Sequence, residues 1–192
     1  MNHNINSAGI VKRGALVLDL DETLVTSSVL PTRNDECFTI RFNRRRIFIR
    51  FRPGMKSFYS AVKEMFDIYI FTASDKKYAN QVIDLIDDQI PHNHRFFRDD
   101  CTCMSGYFVK DLLKIGRDLN EILLVDDTEG CAMKQPNNLL RVTPWFGNQD
   151  DNELQTRLLP LLKIFNDEAA RINILSQMAN ICFFNANIAA SL

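Results

Sequence analysis

Ala15-Leu16-Val17-Leu18-Asp19-Leu20-Asp21-Glu22-Thr23 changes character half-way along. Its first part is a nearly unbroken apolar run, the pattern of a strand buried on both faces of a parallel sheet. Its second part is too polar to stay buried, so the strand must end where the acids begin. The same break recurs twice. Ile68-Tyr69-Ile70-Phe71 runs into Thr72-Ala73-Ser74, and Ile122-Leu123-Leu124-Val125 runs into Asp126-Asp127. Leu139 to Val142 reads as a fourth strand. Helical spacing fills the intervals: Phe58, Ala61, Val62 and Met65 over 55–65, and Val82, Ile83, Leu85 and Ile86 within Asp75 to Asp88. Over 151–166, Leu154, Leu158, Leu161, Leu162 and Phe165 should face inward, with Pro160 bending or breaking the helix. Strands alternating with helices predict an α/β fold with a mainly parallel sheet flanked by helices.

One segment departs from that rhythm. Over 37–51, Phe38, Ile40 and Phe42 share one face, and Ile47, Ile49 and Phe51 another, with a turn near Asn43 to Arg45. This predicts a half-buried antiparallel hairpin inserted into the domain. Residues 89–109 read as less regular, with short strands near Phe96 to Arg98 and Tyr107 to Val109, and Asp111 to Ile115 as a short helix. The reading divides the chain into a flexible arm at 1–13, a catalytic domain at 14–166 and a helical tail at 167–192, its helix at 167–183.

The chain has 192 residues and a formal net charge of -1, so nothing global favours direct nucleic-acid binding. No apolar run reaches the ~18 residues of a membrane span. The basic run Arg41 to Arg46, with Arg50 and Arg52, is local: a solvated hairpin edge, or a contact for an acidic or phosphorylated partner. The five cysteines are odd in number and lack framework spacing, and Met1 to Ser7 is polar rather than signal-like. A reducing intracellular compartment, nuclear or cytoplasmic, is expected, and a monomer. Cys101 and Cys103 near His92 and His94 invite a zinc reading, but no second close cysteine pair completes a structural site.

In parallel sheets, functional groups gather beyond the carboxyl ends of the strands. Here those ends carry Asp19, Asp21 and Thr23, then Thr72 and Ser74, then Asp126 and Asp127, while Lys110 follows Tyr107-Phe108-Val109. Carboxylates converging on one point repel one another unless a cation joins them. Oxygen donors without a histidine or cysteine partner suit magnesium (Mg2+). A lysine and hydroxyls beside them can hold phosphate oxygens. The set fits phosphoryl transfer. Asp19 would attack phosphorus. Asp21 would serve as acid and then as base. Thr23, Thr72 and Lys110 would hold phosphoryl oxygens, and Asp126 with Asp127 would complete the metal site. Each residue alone has an ordinary reading: Thr72 as a helix cap, Lys110 as a surface lysine, Asp126-Asp127 as a turn. Their order and their common placement at strand ends carry the inference.

These residues, together with Arg52-Pro53-Gly54, Phe71-Thr72-Ala73-Ser74, Tyr78-Ala79, Phe97-Arg98, Tyr107 to Leu112, Gly116 to Leu119 and Val125 to Thr128, make the sequence resemble the haloacid dehalogenase superfamily. Within it, the chain resembles the small, single-domain RNA polymerase II C-terminal-domain phosphatases of Fcp/Scp type, from about Leu16 to Phe165. The resemblance implies a Rossmann-like haloacid dehalogenase fold with a small β-hairpin insertion and no large cap domain. It implies Asp19 as nucleophile, Asp21 as acid/base, and Thr72 and Lys110 as phosphate ligands. It also implies magnesium on Asp19, the Asp21 carbonyl and Asp127. Tyr78 and Arg98, with Thr23 and Ser74, become substrate contacts. The implied substrate is phosphoserine or phosphothreonine in a protein, such as the RNA polymerase II C-terminal domain, with the hairpin as one wall of its groove.

The chain departs from the family where Asp127 replaces a usual Asn and Glu129 a usual Pro. That added charge should strengthen metal binding and oppose an acidic substrate. Val29 and Asp75 also stand where the family docks an apolar ring, so that docking should be weaker. Two other readings compete: a small-metabolite phosphatase on the same scaffold, and a phosphopeptide-binding module without turnover. Phosphate-loop and dinucleotide fingerprints are absent, and no cysteine has the setting of a catalytic thiolate.

Overall fold

A computed structural model describes residues 14–31 and 37–166; the expected arm at 1–13 and the tail at 167–192, with its helix, lie outside the described residues. Strand β1 (Ala15–Leu18) is wholly buried and lies between β5 (Asp67–Phe71) and β9 (Ile122–Asp126), parallel to both. Strands β10 (Leu139–Arg141) and β6 (Arg95–Phe96) extend the sheet, giving the order β10-β9-β1-β5-β6. The alternating sides of β1 feed two cores. Leu16 and Leu18 pack with Phe58, Val62 and Val82, while Ala15 and Val17 pack with Tyr69, Leu112 and Cys131. This two-sided burial is why the strands read as continuous apolar runs.

Helix α1 (Met55–Met65) follows the Arg52-Pro53-Gly54 turn, where Gly54 has φ 74°. Helix α2 (Lys76–Asp87) is capped by Asp75, whose carboxylate accepts the Lys77 N–H at 2.8 Å, so the cap is Asp75 and not Thr72. Near residue 154 the chain forms one wide π-helical turn, Leu154–Leu158, before α3 (Leu159–Asn166). Pro160 lacks an N–H and its ring crowds the preceding turn, and a widened turn relieves that crowding without a break. The buried stripe runs through Leu154, Leu158, Leu162 and Phe165, leaving Leu161, expected inward, on the exposed side.

The insertion is larger than the sequence suggested. Strands β3 (Phe38–Phe42) and β4 (Arg45–Phe51) form the expected hairpin, and β2 (Val25–Ser28) joins β4 to make three strands in the order β2-β4-β3. Val25-Thr26-Ser27-Ser28 is too short and polar to announce itself as a strand. The register also corrects the two-face reading. Phe38 pairs with Ile49 and Ile40 with Ile47, so both apolar triads lie on one side, over the core. Residues opposite one another across strands share a face. Similarly, β7 (Thr102–Met104), unforeseen, pairs with β8 (Tyr107–Val109). Among the described residues there is no further cap over the sheet.

Arg52 ties these parts together. Its guanidinium, fully buried, binds both Asp151 oxygens at 2.8 Å, Glu153 at 2.9 Å and the Thr23 carbonyl at 3.2 Å. Removing one member of a buried ion network leaves the others unpaired. Arg52→Met is therefore expected to cost about 3–5 kcal/mol, read from urea unfolding. A loss below about 1 kcal/mol would mean that water replaces the guanidinium without penalty.

Candidate active site

The tight turn after β1 builds the centre of the site. The Leu20 carbonyl accepts the N–H groups of Leu24 (2.9 Å) and Val25 (3.0 Å), one helical turn that swings the chain away from the sheet. Glu22 takes φ 59°, a left-handed conformation unusual for a residue with a side chain. Its N–H donates to the Val25 carbonyl (2.8 Å), and its carbonyl accepts from the N–H of buried Trp145 (2.7 Å). Strain held by such bracing is a mark of functional loops.

This turn leaves Asp19 at the floor and Asp21 at the rim. Lys110, just beyond β8, is buried, and its backbone N–H is anchored on the Cys131 carbonyl at 2.8 Å. Its ammonium bridges Asp19 (2.6 Å) and Asp126 (2.5 Å). The other Asp126 oxygen accepts the Thr128 N–H (2.9 Å). Asp127 accepts the hydroxyl of fully buried Thr23 at 3.4 Å. Carboxylate oxygens of Asp19, Asp126 and Asp127 lie within 4.8 Å of one another.

Three carboxylates thus face one ammonium. Burial draws the Lys110 ammonium toward losing its proton, but Asp126 and Asp19 reverse this and hold it charged. Asp19 is the surplus acid: burial pushes its carboxyl up to about 8 despite the pull of Lys110. Asp127 is raised as well, by burial and then by Asp126. An all-oxygen cluster with surplus negative charge fits a hard divalent cation. A second cation is what the cluster's charge balance lacks.

Asp21 is held differently. Its two oxygens accept the hydroxyls of Tyr78 (2.5 Å) and Ser74 (2.6 Å). Thr72, the first residue past β5, accepts the Ser74 N–H on its hydroxyl oxygen at 3.1 Å, leaving its own proton for the cleft. Arg98 donates to the Ala73 carbonyl (2.6 Å) and lies 5.3 Å over the Phe108 ring. All the residues singled out from the sequence thus meet at one place. The open cleft of about 340 Å³ is lined by Asp19, Asp21, Thr72, Ser74, Arg98 and Lys110, among others. Tyr78 borders the adjoining cleft, and Thr23 lies beneath the floor.

Sequence reasoning assigned no part to Glu22, Tyr107 or Phe108, which also line the site. Burial, then Asp21 and Asp127, push the Glu22 carboxyl up to about 7. Only the fold announces it, through its left-handed backbone. Gly130 admits the Tyr107 ring, since a Cβ there would stand 2.3 Å from the ring. Two of the expected zinc-site residues are turned to other tasks: His94 stacks on Tyr69 at 4.0 Å, its Nδ1 is 2.9 Å from the Ile68 carbonyl, and the Cys101 thiol lies between the carbonyls of Phe97 (3.7 Å) and Thr72 (3.9 Å).

Residues 15–173 match the family model described as NLI interacting factor-like phosphatase. The chain belongs to that family. It is 39% identical over 143 residues to CTD small phosphatase-like protein 3 of Caenorhabditis elegans, covering 72% of this chain and 50% of that one. It is 37% identical over 151 residues to the human carboxy-terminal domain RNA polymerase II polypeptide A small phosphatase 1, covering 77% of this chain and 58% of that one. The chain spans about half the length of the curated relatives it matches. Among solved structures it is similar to Fcp1, an essential RNA polymerase II CTD phosphatase, with TM-score 0.58 and 23% identity over 84% of this chain and 53% of that one. That likeness is one of fold, and it agrees with the haloacid dehalogenase architecture that the sequence resemblance implied. No helix among the described residues is long and apolar enough to cross a membrane.

The placement of Tyr78 separates two roles. A residue that only touches a peptide should not matter for a substrate without one. Tyr78→Phe, which strips one donor from Asp21, is expected to lower kcat on para-nitrophenyl phosphate about tenfold, near the worth of one hydrogen bond to a charged group. An unchanged kcat with a raised KM on peptides alone would make Tyr78 a peptide contact.

Proposed function

We propose that this protein is a magnesium-dependent phosphoserine/phosphothreonine protein phosphatase acting through an aspartyl-phosphate on Asp19. The observation that carries the reading is the buried bridge from Lys110 to Asp19 and Asp126, with Asp127 beside it, on the floor of an open cleft.

Asp19, Asp127 and the backbone carbonyl of Asp21 would hold magnesium, which when bound supplies positive charge to the phosphoryl oxygens. Asp126 has both oxygens engaged, by Lys110 and by the Thr128 N–H, so its part is to aim Lys110. An Asp19 carboxylate oxygen attacks phosphorus, and the bond from phosphorus to the serine or threonine oxygen breaks. Asp21 gives that leaving oxygen its proton. Asp21 then takes a proton from water as the water oxygen attacks phosphorus, releasing phosphate and restoring Asp19. The Thr72 hydroxyl and the Lys110 ammonium neutralise charge on the phosphoryl oxygens. Thr23 acts from below by orienting Asp127, and Ser74 and Tyr78 orient Asp21. Arg98, at the mouth, meets the peptide.

The absence of a cap over the cleft among the described residues supports a polypeptide substrate, and the relatives' names make the RNA polymerase II C-terminal domain the first candidate. Hydrolysis of a phosphoserine-proline peptide, a sugar phosphate and para-nitrophenyl phosphate, with magnesium and with EDTA, tests this. Magnesium-dependent turnover with the peptide ahead of the sugar phosphate is expected. Turnover that EDTA leaves intact would end the metal reading; a faster sugar phosphate would end the protein-substrate reading. Tight peptide binding without turnover would make the chain a binding module.

A further inference from the structure

The tip of the β3–β4 hairpin concentrates positive charge in a way that folding does not ask for. Arg41 and Arg46 stand directly opposite across the strands, and Arg45 lies opposite Phe42. Like charges directly opposite destabilise a sheet. The turn itself is Asn43-Arg44, with φ 49° and 63°. Two-residue hairpin turns of that hand favour Asn-Gly, because glycine takes the second left-handed position at no steric cost. Here that position carries a fourth arginine. Arg41, Arg44, Arg45 and Arg46 are exposed. Among the described residues, ion pairs engage Arg52, Arg95, Arg117, Arg141 and Arg157 but none of these four.

The tip is also held in place. The Gln81 side chain on α2 accepts the Arg41 N–H (3.3 Å) and donates to the Arg41 carbonyl (3.0 Å), closing the open edge of β3. Phe42 packs edge-on to Tyr78 at 5.8 Å between ring centres. Tyr78 in turn holds Asp21. Phe42, Asn43 and Ile47 line a cleft of about 580 Å³ that they share with Asp21, Ser74 and Arg98. By the same pairing Arg45 shares the face of Phe42 and Ile47, toward that cleft, with Arg44 in the turn beside it, while Arg41 and Arg46 add their charge from the opposite face. The basic residues of 41–46 are all arginine, with no lysine among them, and arginine's planar fork suits the oxygens of phosphate.

We propose that the hairpin tip docks a second phosphorylated residue of the same substrate polypeptide while the first lies at Asp19. This deepens, and rests on, the protein-phosphatase reading. The enzyme would thus prefer multiply phosphorylated segments, and the phosphate at the tip would set which residue is hydrolysed.

The test compares one peptide in singly and doubly phosphorylated forms, with a series of spacers, and a third form carrying glutamates in place of the second phosphate. Binding to the Asp19→Asn protein, read by fluorescence anisotropy, keeps the test independent of turnover; wild-type KM and kcat accompany it. At one or more spacings the doubly phosphorylated peptide is expected to bind about five- to tenfold tighter than the singly phosphorylated one, an advantage that fades with added salt. Arg44→Gln/Arg45→Gln is expected to lose most of that advantage, to keep its kcat on para-nitrophenyl phosphate, and to melt with wild type, since both side chains are exposed. Equal binding of the two phosphopeptides, a preference that survives in the double variant, or an equal gain from glutamates would each overturn the proposal. So would tighter binding of anionic vesicles or an oligonucleotide at the same arginines. If para-nitrophenyl phosphate is turned over through Asp19 and the preference is absent, the docking site fails while the catalytic reading stands.

Discussion

Asp19→Asn is expected to abolish turnover, with kcat on para-nitrophenyl phosphate falling about 10⁴-fold or more, as when the nucleophile of a covalent mechanism is removed. The fold should survive, for a reason visible in the charge balance. The wild-type floor sets Asp19, Asp126 and Asp127 around the single ammonium of Lys110. An amide at residue 19 keeps a hydrogen-bond acceptor for Lys110 and removes the surplus charge. In EDTA the variant should therefore melt at or above the wild-type temperature, and added magnesium should raise its melting temperature less than it raises that of wild type. Loss of activity with an unchanged melting curve separates a chemical role from a structural one. Activity within tenfold of wild type would remove Asp19 as nucleophile.

Lys110→Met should damage the fold itself. The side chain is buried and is the only cation among the described residues that bridges Asp19 and Asp126. Without it, two buried carboxylates face each other, and a loss of about 3–5 kcal/mol is expected near neutral pH. The loss should shrink on acidification. Burial already raises the Asp19 carboxyl from 3.8 to about 8, so the folded state keeps a proton that the unfolded chain has released. A raised folded value means that stability is fully present below the unfolded value and is lost as pH rises through the folded one. Metal-free wild type should thus lose stability between about pH 4 and pH 8, and the variant more steeply. Magnesium should restore most stability at the alkaline end, because it binds the folded, deprotonated cluster. Urea titrations at several pH values, with EDTA and with magnesium, measure both trends. A flat profile in EDTA would show that water reaches the cluster and that burial is not what governs it.

The expectations that held come from patterns local in the chain. β1, β5 and β9 were legible because strands buried on both faces must be apolar at every position. Their ends were legible because the apolar runs stop at Asp19, Thr72 and Asp126. The expectation that such polar residues could not stay buried failed: all three are buried, and Asp126 is still the last residue of β9, because Lys110 and backbone groups satisfy the two acids. The hairpin showed through its alternation. β2 was missed because two of its four residues are buried and its polar residues pair across to β4 instead of packing by a periodic rule. The face assignment of the hairpin failed because register depends on the turn, and a shift by one residue exchanges the faces.

The sequence by itself therefore determined the α/β class, the strand ends and the kinds of groups that gather there, since burial periodicity and strand-end polarity are written residue by residue. Only the tertiary structure decided who partners whom. It placed Lys110 on Asp19 and Asp126, gave the hydroxyls of Ser74 and Tyr78 to Asp21, set Thr23 beneath Asp127, and braced the turn after β1 on Arg52 and Trp145. Those partners lie far apart in the chain, and no spacing rule links them. They are chosen when the sheet brings its strand ends together and each buried charge must find its counterpart.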